Sequence, residues 1–385
     1  MEKITEYCTG CRACEQLCPK NSISFIADKE GFLVPCIDQE KCIDCGLCQH
    51  RCPQNANSSK NSPQKVFAAR YKDETTLYKS ASGGAFAALA QAVIKEGGIV
   101  FGVVYDKDWN AVFTSAENEL QLAPILSSKY VQADTQDSYK EVLKQLQTRR
   151  LVLYCGTGCQ IAGLRSFLKK DYENLLCVDL ICHGVASPML FRKYIVWLSE
   201  KHGAPISEFD FRDKKGGWGL GYKYKYKYKY KYKSCNTDPY YYHFLRGDIY
   251  RECCYRCRYC TKERMGDWTI GDYWGIEKEH PSFFSPKGVS VILVNSTKGL
   301  SLLEKYQNSF HLCESTFEKA AKHNENLLHP TQRNDEVRDR IYDGIGTLRF
   351  ADLEFVQHFT PSFTAKVKEL IPMWLKVMIK RNGRV

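Results

Sequence analysis

Apolar and polar positions fall into two rhythms along this chain. Short apolar runs at Val66–Tyr71, Ile99–Tyr105, Leu151–Tyr154, Asn174–Ile181 and Gly288–Asn295 have the length of buried strands. The last of these is expected to be the final strand, because residues 298–345 read as helical. Helical patterns stand between the runs. Ser80-Ala-Ser82-Gly83-Gly84 opens one that continues to about Lys95 and stops at Gly97-Gly98. Residues 137–150 form a basic amphipathic pattern, and Ser187-Pro188 begins a helix reaching about His202. Alternation of this kind predicts a mixed α/β domain. No G-x-G-x-x-G follows any of these strands, so the dinucleotide fingerprint is absent.

Two stretches depart from both rhythms. Tyr222 to Lys233 alternates Tyr and Lys strictly, which puts Tyr on one face of a strand and Lys on the other. Such a strand would offer stacking faces to nucleic-acid bases. Nothing else in the chain resembles a nucleic-acid module, so a surface strand grown as low-complexity sequence is the simpler reading, and no nucleic-acid partner is expected. The tail from Phe363 to Val385 sets Lys366, Lys368, Lys376, Lys380, Arg381 and Arg384 among Val, Leu, Ile, Met and Trp374, interrupted by Pro372. It either makes peripheral contact with an anionic membrane surface or covers the core.

The chemistry begins in the first fifty-odd residues. Cys8-Thr-Gly-Cys11-Arg-Ala-Cys14-Glu-Gln-Leu-Cys18-Pro19 repeats as Cys42-Ile-Asp-Cys45-Gly-Leu-Cys48-Gln-His-Arg-Cys52-Pro53. Each half is C-x2-C-x2-C-x3-C-P, the spacing of a bacterial ferredoxin with two [4Fe–4S] clusters. Three cysteines at two-residue gaps wrap three corners of one cube, and the fourth is carried away to the other cube. Cys8, Cys11, Cys14 and Cys52 are therefore expected to hold one cluster, and Cys42, Cys45, Cys48 and Cys18 the other. Zinc sites pair their ligands and need no third cysteine at this spacing, and a disulfide framework needs a secreted protein. Cys36, outside the pattern, reads as a structural thiol. Polar residues 54–65, with Pro63, read as a linker.

Composition narrows the setting. The 385 residues suffice for two or three domains. Nineteen cysteines behind a start, Met1-Glu-Lys-Ile-Thr-Glu, with no secretory pattern point to a reducing cytoplasm and metal ligation. No apolar run is long enough for a membrane-spanning helix. The net charge of +11 suits an acidic partner or a phosphate-bearing cofactor.

A second group of cysteines lies downstream. The strand ending at Tyr154 delivers Cys155-Gly-Thr-Gly-Cys159, and the strand ending at Ile181 delivers Cys182-His183. Cys253-Cys254-x2-Cys257-x2-Cys260 follows the Tyr/Lys repeat. Cys254-x2-Cys257 alone fits zinc; joined by Cys159 and Cys182 it fits a third [4Fe–4S] cluster, with Cys253 and Cys260 as competing ligands. The glycine-rich start at Ser82-Gly83-Gly84 leaves backbone N–H groups at a helix N-terminus, which suits a phosphate or is simply a tight turn with an N-cap.

These motifs in order resemble the coenzyme F420 hydrogenase/dehydrogenase beta subunit family. They are Ser80-x-Ser-Gly-Gly-x-Phe, Ser128-Lys129-Tyr130-Val131, Gly156-Thr-x-Cys159-Gln-x-x-Gly163-Leu, Asp179-x-Ile-Cys182-His-Gly, Phe211-Arg-Asp213, Cys254-Tyr-x-Cys257 and Asp267-x-Thr-Ile-Gly-Asp272-x-Trp-Gly. The resemblance covers about 66–300. It implies a flavoprotein binding FAD, with Ser82, Gly83 and Gly84 near the flavin and Lys129 a charge on its phosphates. It also implies a cluster on Cys159, Cys182, Cys254 and Cys257, and coenzyme F420 or another organic molecule as electron acceptor. Gly158 stands where the family usually has Pro, and Cys253 where it usually has Ser.

The expected fold class is thus α+β: a dicluster ferredoxin domain at 1–58, a larger mixed α/β flavin-binding domain at 59–345 and a basic tail at 346–385. The expected function is a cytoplasmic iron–sulfur flavoprotein oxidoreductase working with a redox partner protein or a small-molecule acceptor. The alternative is a non-catalytic electron-transfer protein that bears only clusters and serves a partner enzyme. No general acid/base constellation is visible, so catalytic residues stay unassigned.

Overall fold

The computed structural model describes residues 4–5, 7–56, 59–371, 375 and 378. Its N-terminal module pairs β1 (Ile23–Ala27) with β2 (Leu33–Ile37), and the two cysteine motifs flank this hairpin. Next in the chain come β3 (Lys65–Tyr71), β4 (Ile99–Tyr105), β5 (Ala111–Ala116), β6 (Ala133–Asp134), β7 (Val152–Thr157) and β8 (Leu175–Leu180). β9 (Ile206–Asp210), β10 (Gly221–Tyr226), β11 (Lys229–Ser234), β12 (Trp268–Asp272), β13 (Ser290–Val294) and β14 (Phe310–Ser315) complete the strands.

Nine of them make one mixed sheet in the order β14-β3-β13-β12-β8-β7-β4-β5-β6. Its centre, β12-β8-β7-β4, is parallel, and antiparallel strands extend it on both sides. Side chains alternate across it as a period of two requires. Leu153, Leu176 and Val178 pack on one face with the Ala-rich helix Ala85–Lys95 and helix Thr297–Tyr306. Val152, Tyr154, Leu175 and Cys177 pack on the other with helices Ser138–Gln147 and Gly158–Leu168. A third core, rich in aromatics, joins helix Pro188–His202, helix Pro239–Arg246 and the sheet β11-β10-β9.

Three departures from the sequence expectation have physical reasons. The region 298–345 contains β14, so β13 is not the last strand; β14 pairs at the sheet edge, where exposed His311 and Glu314 blur its period. The Tyr/Lys repeat is not one strand but a hairpin turning at Lys227-Tyr228, with Lys227 at φ +51°. Its register sets Tyr222 opposite Lys233 and Tyr224 opposite Lys231, so each face carries both residue types. Tyr222 and Tyr224 are buried, and Tyr230 is exposed beneath Lys225 at 5.3 Å. Finally, Phe350, Leu353 and Phe355, in the segment expected to be tail, are buried in the aromatic core. Lys376, Lys380, Arg381, Arg384, Pro372 and Trp374 lie outside the described residues. Among the described residues no helix is long and apolar enough to cross a membrane.

The ferredoxin module is held tightly against the large sheet domain. Gln16 Oε1 accepts from the N–H groups of Tyr139 and Lys140, capping helix Ser138–Gln147 from outside. Arg251 donates to the carbonyls of Cys8 (2.8 Å) and Leu33 (2.9 Å), and Arg338 grips Glu30 with two hydrogen bonds. Arg12 pairs with Asp134, and Arg51 donates to the Ser166 carbonyl.

Candidate functional site: cysteine cavities and an adjoining cleft

The N-terminal cysteines stand in two groups, Cys8, Cys11, Cys14 and Cys52 in one and Cys18, Cys42, Cys45 and Cys48 in the other. Burial, together with the neighbouring Cys8 and Cys52, pushes the Cys11 thiol up to about 12. Cys14 is raised in the same way, by burial and then by Cys11, Cys8 and Cys52. These four are close enough to oppose one another's ionisation, which a multi-iron centre would reverse by taking the thiolates as ligands. Cys18, Cys42, Cys45 and Cys48 line a separate surface cavity of 240 Å³. Cys45 is exposed there.

The parallel strands deliver the second group. β7 ends at Thr157, whose hydroxyl and Gln160 form a reciprocal cap for helix Gly158–Leu168. This cap fixes Cys159 in the first helical turn, with its Sγ 3.1 Å from Thr157 Oγ1. Cys182 follows the end of β8. Cys159, Cys182, Cys253, Cys254, Cys257 and Cys260 all line one small cavity, together with Arg264 and His183. Burial raises Cys182 to about 12. The four residues implied by the family resemblance are therefore together, and so are both competitors. Cys253 and Cys260 are buried, and the Cys260 thiol donates to the Cys182 carbonyl at 3.5 Å. Among the described residues no group of three or more His, Cys, Asp or Glu would hold a single metal ion.

Arg264, 2% exposed, ties this cavity to the sheet. It donates to the carbonyls of Tyr259 (2.7 Å) and Leu180 (3.1 Å), and its Nη2 lies 2.9 Å from Asp179 Oδ2. Gly158 sits at the first helical position, where a Cβ would come within 2.9 Å of Tyr259 Cβ. Gly163, one further turn along the same helix, touches the ferredoxin module: a Cβ there would lie 3.0 Å from Cys11 Cβ and 3.1 Å from Cys11 Sγ.

On the other side of the strand ends lies a cleft of 680 Å³. Ligands of open α/β sheets bind at the carboxyl ends of strands, and this cleft has that position. Ser82, Gly84 and Lys129 line it, as does the start of helix Ala85–Lys95. Gly83 does not. Its missing side chain serves packing instead, since a Cβ would come within 2.2 Å of Ser290 N and 2.4 Å of Ala69 O. Lys129 bends back to the carbonyls of Pro124 (2.5 Å) and Ser127 (2.8 Å), and burial pushes its amine down to about 7.

The sequence motifs without an assigned chemistry converge here. Arg212, from Phe211-Arg-Asp213, makes two hydrogen bonds of 2.7 and 2.9 Å to Asp272. Trp218 donates to the same carboxylate at 2.6 Å and stacks on Trp274 with ring centroids 5.0 Å apart. The paired Arg212 holds the Asp272 carboxyl below its ordinary range despite burial, which acts the other way. Lys214 was not legible as a site residue. Its amine donates to the carbonyls of Leu77 (2.7 Å) and Ser82 (2.5 Å), and burial followed by Arg212 pushes it down to about 7. His323 also lines the cleft and has a buried Nε2 without a hydrogen-bond partner.

A mixed sheet with cysteine cavities at the ends of its parallel strands, joined to a two-motif ferredoxin module, defines an iron–sulfur electron-transfer protein. Comparison with known proteins specifies the relationship. Residues 7–56 match the family model of the 4Fe-4S dicluster domain. Residues 149–319 match the family model for the C terminus of the coenzyme F420 hydrogenase/dehydrogenase beta subunit. The chain thus carries a match to a dicluster model near its start and, further along, a match to the C-terminal model of the beta subunit. A chain of the F420-reducing [NiFe] hydrogenase complex from Methanosarcina barkeri, solved after xenon derivatization, is similar at 16% identity, over 73% of this chain and 90% of that one, with a TM-score of 0.46. No curated protein matches the chain.

Proposed function

We propose that the chain is an oxidoreductase that carries electrons between its N-terminal [4Fe–4S] clusters and an organic acceptor at the large cleft. The observation that carries this reading is a shared wall. Thr157, Leu180, Cys182, His183, Gly184 and Val185 line both the six-cysteine cavity and the cleft. A third cluster on Cys159, Cys182, Cys254 and Cys257 would stand one layer of side chains from whatever the cleft holds. On the other side, the contact of Gly163 with Cys11 brings the first ferredoxin site to the helix that bears Cys159.

FAD is a group that the cleft residues fit. The volume suits a ligand of that class. The N-terminus of helix Ala85–Lys95 offers backbone N–H groups, Ser82 and Gly84 flank it, and the Lys129 amine adds a donor. Ile125, Val131 and Ile270 supply apolar surface, and the Arg212–Asp272–Trp218 network holds Trp274 in place at the edge. A flavin, when bound, supplies the interchange between one-electron and hydride chemistry. The role of the chain is to hold and orient it and to keep water out. The outer rim of Lys278, Lys322, His323 and Asn326 would receive the acceptor, a deazaflavin such as coenzyme F420 or another organic molecule. A redox partner protein would supply or collect electrons at the ferredoxin module, in the cytoplasm.

Anaerobic purification with iron and flavin quantitation tests this. The expected result is one flavin per chain with about twelve irons, the sum of three four-iron clusters. Iron without flavin, even after incubation with FAD, would refute the oxidoreductase and leave an electron carrier for a partner enzyme.

A further inference from the structure

Helix Phe363–Leu370 is mounted with its apolar side outward. Ala365 is buried, and Glu369 turns back to pair with Lys233 of β11 at 3.1 Å, so the edge bearing 365 and 369 faces the protein. At 3.6 residues per turn, Phe363, Val367 and Leu370 fall on the opposite edge. They are 81%, 42% and 83% exposed. Single exposed apolar residues are ordinary, but a stripe at i, i+4 and i+7 aimed away from the body of the protein marks a surface that something covers.

Charge says what. Lys366 and Lys368 flank the stripe, and from Phe363 onward Lys376, Lys380, Arg381 and Arg384 follow. The sole acid from Phe363 to Val385 is Glu369, already engaged by Lys233. That pairing lays the helix beside the face of β11 on which Lys229 and Lys231 also stand, by alternation, and both are exposed. The sequence beyond the helix continues with Met373, Trp374, Leu375, Val377, Met378 and Ile379. Apolar and aromatic residues rimmed by Lys and Arg match the boundary between lipid headgroups and acyl chains. A second copy of the chain would bring the same cations against these and be repelled.

We infer that helix Phe363–Leu370, with the lysine face of β11 beside it, is a peripheral docking surface for an anionic lipid membrane. The helix lies on the surface and does not span it. The attraction has two parts: burial of the stripe, and a contribution from each nearby Lys worth about fivefold in binding.

The test is flotation of the full-length protein with vesicles of phosphatidylcholine alone or with added phosphatidylglycerol. Binding is expected only to the anionic vesicles and is expected to weaken as salt is raised. The variant F363S/V367S/L370S should bind at least about tenfold more weakly, from the lost apolar burial. The variant K229E/K231E should also weaken binding, while the iron content of both stays that of the unmutated protein. No flotation of the unmutated protein would overturn the inference, and so would undiminished flotation of the triple variant. A dimer that only the triple variant dissociates, with no vesicle binding, would assign the stripe to a second copy and overturn it equally.

Discussion

Replacing Arg264 by Met tests the cysteine cavity and its support together. In the native chain this guanidinium stands 2.9 Å from Asp179, both residues almost wholly buried, and donates to the carbonyls of Tyr259 and Leu180. The first carbonyl belongs to the loop of Cys257 and Cys260, the second to the strand that ends before Cys182. Removing one partner of a buried ion pair leaves an uncompensated charge and costs about 3–5 kcal/mol. Three carbonyls, those of Tyr259, Leu180 and, at 3.3 Å, Thr261, lose a charged donor as well, at up to about 1 kcal/mol each. Thr269 still donates to Asp179 at 2.5 Å, and the carboxyl can take up a proton, which limits the loss. The net expectation is about 3 kcal/mol, a large part of the roughly 5–15 kcal/mol typical of a folded protein. Adding Asp179→Asn should recover about half, because no buried charge is then stranded. The assay is anaerobic guanidinium unfolding followed by circular dichroism, with iron measured on the same samples. Arg264→Met should also lose about four irons, one cluster's worth. A variant within about 1 kcal/mol of the unmutated protein and with its full iron would refute the reasoning.

Further outcomes follow from the same geometry. Cys14→Ala and Cys48→Ala should each lose about four irons; unchanged iron would break the crossed ligand assignment. Gly163→Val adds a side chain where Cys11 Sγ lies 3.1 Å from even a Cβ, so the ferredoxin module must shift. Limited proteolysis should then cut residues 54–65 faster, and equal rates would mean the contact is dispensable. Lys214 has a folded value near 7 because of burial, against about 10.4 in an unfolded chain. Between those values the unfolded state holds the extra proton, so stability rises with pH by up to about 1.4 kcal/mol per pH unit. Below pH 7 the burial penalty applies in full. Unfolding midpoints at about pH 6.5 and 8.5 should show this rise, and Lys214→Met should flatten it. Arg212→Gln strands Asp272 and frees Trp274, so flavin retention should fall about tenfold, or the cleft does not hold the flavin as proposed.

The N-terminal cysteines were legible because cluster chemistry fixes ligand spacing along the chain itself. Two central strands were legible for a similar reason: β7 and β8 are buried on both faces, and their first four residues, Val152–Cys155 and Leu175–Val178, are all apolar. β12 escaped because Trp268-Thr-Ile-Gly-Asp272 is short and carries a glycine, and β14 because an edge strand has no need of a clean apolar face. The Tyr/Lys repeat shows what periodicity leaves open. A period of two foretells a strand, but the turn at Lys227 and the register of the two halves decide which residues share a face. Lys214 and His323 could not be seen at all. Nothing local marks a lysine whose partners are carbonyls more than 130 positions away.

The seam between the ferredoxin module and the sheet domain sets a direction. With Gln16, Arg12 and Glu30 all engaged across it, the module cannot swing out as a mobile shuttle. The set around Cys11 faces inward onto Gly163, so it is closed to visitors. The set around Cys45 opens outward, between Ile43 and Asp44. Within the described residues of the ferredoxin module, that loop is thus where the cysteine set meets solvent, an outward port set against an inward seam.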